Sequence, residues 1–227
     1  MIYKTFFQTL PVCMGYIPLG IAFGILFSQL NIAWYYGFLT ATFIFTGAGQ
    51  FLLISLLSSH SGYFEIALAS FVLNTRHLFY SLSITEEIKS FGLGKYYILL
   101  GLTDETFALL KTLKYTNSLP QEQLEKSYLC ITLWNHLYWI VGCMTGIFIG
   151  ENLGFTPEGI KFTLTALFSV LTLALLKNSP NKKPFYLGLG LGILGLAIFP
   201  QKYFLFLSIL CGIFILLIGK KWIEYGK

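Results

Sequence analysis

The chain contains one arginine, Arg76, and one aspartate, Asp104, and both fall inside apolar runs. Arg76 sits in Phe71-Val72-Leu73-Asn74-Thr75-Arg76-His77-Leu78-Phe79-Tyr80, and Asp104 in Leu102-Thr103-Asp104-Glu105-Thr106-Phe107. A charge at the centre of a bilayer costs at least about 2.5–3.5 kcal/mol, so it is kept only where it faces protein or a water-filled path. Pairing Arg76 with Asp104 or Glu105 would offset much of that cost. Two roles fit such a pair: an ion pair that fastens two helices, or a station on a substrate or proton pathway. On a helix, Arg76, Tyr80 and Ser83 share one face, and Asn74, His77 and Ser81 an adjacent one. Asp104 aligns with Ala108 and Lys111, while Glu105 projects about 100° away. One carboxylate can therefore pair with Arg76 while the other faces a cavity.

Other polar groups stand in equally apolar surroundings. Phe45-Thr46-Gly47-Ala48-Gly49-Gln50-Phe51 places Gln50 beside Gly47 and Gly49, which suits either an unwound backbone next to an amide or a packing motif with a satisfied Gln. Asn135 shares a helical face with Gly142 and Gly146 and is expected to point into the bundle; His136 fits a helix-bridging hydrogen bond better than a proton relay. Pro18, with Pro11, Gly15 and Gly20, predicts a kinked or interrupted first helix, since proline removes a donor in mid-span; broken helices often line the cavities of transporters. No Walker A loop, HExxH, GxSxG or dinucleotide fingerprint occurs. The three histidines are too scattered for a metal site, and no cofactor is expected. Active transport would have to draw on an ion or solute gradient.

The elements that must position these groups follow from composition. Of 227 residues, 56% are hydrophobic and only 11% charged, too few charges to cover a soluble fold of this size. A soluble enzyme, a nucleic-acid binder and a disordered chain are thereby excluded. The net charge of +5 comes mostly from lysines between apolar runs, the pattern of charges flanking membrane spans. The four cysteines lie in apolar runs and read as small buried residues. The fold class is an all-α polytopic transmembrane bundle, one integral membrane domain over 1–227, with a possible two-bundle division near 111–126. A helix needs roughly 20 residues to cross a bilayer. Spans are expected near Leu10–Leu30, Tyr36–Ser58, Tyr63–Thr85, Ser127–Gly150, Ile160–Leu176, Phe185–Phe199 and Tyr203–Gly219. Tyr96–Leu110 reads as a short helix, a re-entrant segment or a broken span. Lys111–Lys126 reads as the one real loop. Eight spans with the N-terminus inside would leave Lys89, Lys95, Lys161 and Lys202 outside; seven spans with the N-terminus outside fit the lysines as well. Both place the C-terminus in the cytoplasm. Gly20 with Gly24, Gly142 with Gly146 and Gly150, and Gly188 with Gly192 predict close helix packing.

Taken in order, several of these pieces form a pattern: Pro11…Gly15…Pro18-Leu19-Gly20…Gly24, then Phe45 to Phe51, Leu73 to Tyr80 and Leu102 to Phe107, then Asn135 with Trp139 and Gly142, then Thr165-Ala166-Leu167-Phe168. From about Leu10 to Lys220 the chain resembles the AzlC family, the large subunits of two-component branched-chain amino-acid permeases. Where members usually look like Gly-Leu-Asp-Phe, this chain reads Gly159-Ile160-Lys161-Phe162, a basic residue at an acidic position. The resemblance implies efflux of Leu, Ile, Val and in some cases Met across the bacterial cytoplasmic membrane, with a small AzlD-like membrane subunit as partner. For a zwitterionic substrate, Arg76 could hold the carboxylate, helped by Asn74 or the Gly47–Gly49 backbone, and Asp104 or Glu105 the ammonium or a coupling proton. An intramembrane enzyme, or a channel or structural subunit of another complex, are the rival classes.

Overall fold

The computed structural model describes residues 2–116, 120–152, 182–200 and 204–218, together with Ser169, Leu173 and Leu176. Most of the span expected over Ile160–Leu176, and Lys161, lie outside them. Every regular element among the described residues is helical: α1 (Ile2–Ser28), α2 (Trp34–Leu39), a π-turn (Thr40–Ile44), α3 (Gly47–Ser58), α4 (Tyr63–Ile88), α5 (Gly94–Leu100), α6 (Asp104–Thr116), α7 (Gln121–Asn152), α8 (Lys183–Ile198) and α9 (Phe204–Ile218). At 1.5 Å per residue, α1, α4 and α7 are about 39–48 Å long, and every arm between them is about 20 Å or less.

The long helices α1 and α7 run parallel, backbone against backbone. A Cβ added at Gly20 would come 2.9 Å from Cys143 N, and at Gly142 2.9 Å from Ile17 O; Gly24 and Gly146 are closer still to the opposing main chain. Glycine at four-residue intervals on both helices is what permits this approach. Of the kink or interruption expected in α1, the interruption is absent: the helix is continuous across Pro11 and Pro18. Both prolines lie on its exposed face, so the lost hydrogen bonds fall away from the α1–α7 contact that holds the helix.

The crossing expected over Tyr36–Ser58 is instead a hairpin. α2 descends along α7, with Gly37 beside Ile147 and the Phe45 ring 4.4 Å from that of His136. The chain turns at Phe45, held at φ 33°, and Thr46, at φ −140°. α3 then climbs back along α1, with Phe45 near Tyr16, Phe51 near Phe23, and Ile54 and Ser58 sharing a cleft with Leu26 and Leu30. It ends where α2 began. An apolar run long enough for one crossing is also long enough for two half-depth arms, so composition alone does not separate them.

A second hairpin enters from the opposite end. The Gly92 N–H donates to Glu125 Oε1 (2.9 Å), Gly94 packs on Leu129, and Gly101 rests on Thr132. After the turn at 101–103, α6 returns: Asn135 Nδ2 donates to Thr106 Oγ1 (3.0 Å), Tyr128 donates to Leu110 O (3.2 Å), and Lys111 Nζ donates to Ser83 O (3.1 Å). Of the three readings of Tyr96–Leu110, this is the one that turns back. The expected loop 111–126 is helical up to Thr116, where Lys111 and Lys114 pair with Glu87 of α4, and again from Gln121.

The plan of α1–α3, a long helix followed by a hairpin, thus recurs upside down in α4–α6. Lys89, Lys95, Lys111, Lys114 and Lys126 gather at the end where α1 starts with Lys4, while residues 29–34, 58–65 and 150–152 at the other end contain no Lys or Arg. α8 and α9 form an antiparallel pair, Gly195 against Phe204 and Ser208, and Gly212 against Leu191.

Candidate functional site

The two hairpin tips meet halfway along the long helices. Between them lies a cavity in which water centres can occupy about 60 Å³. One water needs roughly 10–15 Å³ by that measure, so several waters or one small solute fit. Tyr16 and Leu19 of α1, the first tip from Phe45 to Ala48 with Phe51, Arg76 and His77 of α4, the second tip from Thr103 to Glu105, and Trp139 of α7 line it.

Its charged wall is the pair Arg76–Asp104, with side chains 25% and 32% exposed. The pair is unsaturated: Arg76 Nε and Asp104 Oδ1 are buried without a hydrogen-bond partner among the described residues. Glu105, the carboxylate left over, accepts a hydrogen bond from Tyr16 OH (2.8 Å). The same hydroxyl lies 2.6 Å from Thr103 Oγ1, which caps α6 by accepting from the Thr106 N–H (3.2 Å). Threonine is suited to this N-cap position, and two carboxylates in the first turn of α6 suit the positive end of its dipole. α3 starts with the same polarity but has no acidic residue in its first turn. The N–H groups of Gly47, Ala48 and Gly49 lie at a helix start, where no intrahelical acceptor serves them. The cavity therefore has a donor side at α3 and an acidic side at α6.

The sequence-predicted residues divide. Arg76, Asp104, Glu105 and Gly47 line the cavity. Asn74 stands just behind it, accepting from Thr46 Oγ1 (2.8 Å) and donating to Ser70 O (2.9 Å); it ties the first tip to α4. Gly49 packs beneath, where a Cβ would come 3.1 Å from Asn74 Nδ2. Gln50 is fully buried and accepts from Trp139 Nε1 (2.6 Å), which orients a cavity wall; the unwound backbone lies before the glycines, at Phe45–Thr46. Asn135 points inward as expected and bonds Thr106 at the second tip. Pro18 does not line the cavity. His136 bridges helices as expected, its Nδ1 2.9 Å from Tyr97 OH.

Tyr16, Thr103 and Trp139 complete the site; the sequence reading names Thr103 and Trp139 only as members of the family's motifs and assigns none of the three a role. The available signal was a hydroxyl or indole N–H at hydrocarbon depth, which must find a partner. In a chain with 14 Tyr that signal is diluted.

Comparison with known proteins agrees with this arrangement of motifs. The family described as AzlC protein matches residues 11–153. An uncharacterized membrane protein of Helicobacter pylori strain 26695 is 33% identical over 96% of this chain and 94% of its own length. The branched-chain amino acid transport protein AzlC of Bacillus subtilis strain 168 is 29% identical over 99% of this chain and 87% of its own. An uncharacterized membrane protein of Haemophilus influenzae is 30% identical over 94% of this chain. No solved structure matches. The chain is a membrane protein and belongs to the AzlC family of transport proteins.

Proposed function

We propose that the protein carries branched-chain amino acids out across the cytoplasmic membrane, as the large subunit of a permease completed by a small AzlD-like membrane protein. The observation that carries this reading is the cavity between the hairpin tips, which offers separate partners for the two charges of a zwitterion. The α-carboxylate lies at the start of α3, against the N–H groups of residues 47–49, with Arg76 beside it. The ammonium lies toward Glu105 and Asp104. Leu19, Phe51 and the Trp139 indole give an apolar wall for Leu, Ile, Val or Met. In this reading α1, α4 and α7 cross the bilayer, and each hairpin dips to its midplane from one side. The lysines gathered at one end support a cytoplasmic start of α1. Lys182 and Lys183 before α8, with Lys220 and Lys221 after α9, support a C-terminus on the same side.

Reconstitution in liposomes, with and without the small subunit, and a panel of labelled amino acids tests the assignment. Arg76→Lys should lower valine transport on the order of 10–100-fold, the factor implied by losing a charged hydrogen bond worth about 1.5–3 kcal/mol. Full transport by Arg76→Ala at normal protein levels would rule the role out. Proton coupling falls to Glu105, because Asp104 is committed to Arg76. A pH gradient should then drive wild type and Asp104→Asn but not Glu105→Gln; equal gradient dependence in all three would sink the coupling.

A further inference from the structure

A second cleft opens on the same seam as the cavity, nearer the lysine-free end. It lies between the last turns of α1 and α3 and offers water centres about 500 Å³. Its rim is polar and exposed, with Gln29, Ser55, Ser58 and Ser59, and its floor is Leu26 and Ile54. The cavity reaches up this seam as far as Leu19 and Phe51. From Leu19 to Leu26 is about 10 Å along α1, and from Phe51 to Ile54 about 4.5 Å along α3, at 1.5 Å per residue.

An aromatic pair lies in the gap. Phe23 and Phe51 pack edge to face with centroids 5.9 Å apart and an interplanar angle of 85°. Both rings are essentially inaccessible, at 1% and 0% exposure. A serine-rimmed cleft in line with a charged cavity, with two buried rings packed between them, is the arrangement of a passage with its barrier closed. α3 is the less firmly held side: it is a short hairpin arm bonded to its neighbours near its tip, by Thr46 to Asn74 and Gln50 to Trp139, whereas α1 is fixed by glycine contacts to α7 along its length.

We propose that the α1–α3 seam is the outer passage to the cavity, with Phe23 and Phe51 as the residues that close it and the Ser55–Ser59 cleft as its vestibule. This rests on the cavity being the transport site and on the lysine-free end facing outward. A small zwitterion leaves by displacing the Phe51 ring with the α3 arm. Loss of the Phe23 ring, which does not line the cavity, opens it to the external solution without altering the groups that bind, whereas loss of Phe51 opens it and also removes part of its apolar wall.

The test needs no amino-acid substrate, so its outcome is separate from that of the transport assay. In a background with the four native cysteines replaced, single cysteines are placed at Ser55 (vestibule) and Leu19 (cavity). Intact cells are exposed to a charged, membrane-impermeant thiosulfonate. Ser55→Cys should react readily and Leu19→Cys slowly. Adding Phe51→Ala should raise the Leu19→Cys rate about tenfold or more, as expected when a barrier drops by one decade in rate. Phe23→Leu, a milder change, should raise it less and covers the case in which Phe51→Ala does not fold. Equal labelling of Leu19→Cys and Ser55→Cys with both rings intact overturns the proposal. So does a Leu19→Cys rate unmoved by either ring variant in protein whose Ser55→Cys still reacts, or reaction of Ser55→Cys only from the cytoplasmic side.

Discussion

Arg76 and Asp104 were legible because each is the only residue of its type in the chain and hydrocarbon rejects both unless they meet. Their pairing in the structure explains why two such residues persist 28 positions apart. Which carboxylate would stay free was not legible: Asp104 and Glu105 are adjacent, and only the position of Tyr16 on another helix decides that Glu105 takes the tyrosine hydroxyl. The pair also bears on stability. Breaking a fully buried pair from one side costs about 3–5 kcal/mol, and at a quarter to a third exposure solvent screening reduces that figure. Arg76→Ala should therefore lower the melting temperature in detergent, and Arg76→Ala with Asp104→Ala should restore part of it. A double variant no more stable than the single one would show that the charges were not balancing each other.

Among the elements, the glycine ridges were read correctly on α1 and α7, where a four-residue repeat on both helices has a steric reason. The same repeat on α8 has no such partner among the described residues, since a Cβ at Gly188 or Gly192 meets nothing within 4 Å. Overpacking typically costs about 1–3 kcal/mol. Gly24→Leu or Gly146→Leu should cost at least that much and cut the yield of folded protein, while Gly188→Ala should be neutral; size-exclusion profiles and melting curves distinguish the two sites. The hairpins were the part that periodicity could not supply. Both arms of the first are apolar, and its turn depends on Phe45 adopting a left-handed backbone, which costs about 1–3 kcal/mol for a non-glycine residue. That conformation is held by contacts with His136 and Tyr16, both distant in sequence. In the second hairpin Asp104 and Glu105 marked a short, re-entrant or broken segment, but they did not choose among the three.

For the whole molecule, the hairpins change which loops share a side. Continuous crossings put Ser59 with Gln121, and Ala33 with Leu93; two opposed hairpins put Ala33 with Ser59, and Leu93 with Gln121. Single cysteines at these exposed positions, again without the native thiols, should label from outside at Ala33 and Ser59 and only after permeabilisation at Leu93 and Gln121. Reversal at Ser59 and Leu93 would restore the uninterrupted spans. The opposed tips also impose an order on assembly. An arm of 6 to 13 residues cannot settle in lipid alone, and the first tip leans on His136 and Trp139, which leave the ribosome some ninety residues after it. The early half of the chain must therefore wait, incompletely buried, for α7 to arrive before its own turn can lock, so biogenesis includes a capture step that a simple succession of inserted helices would not require.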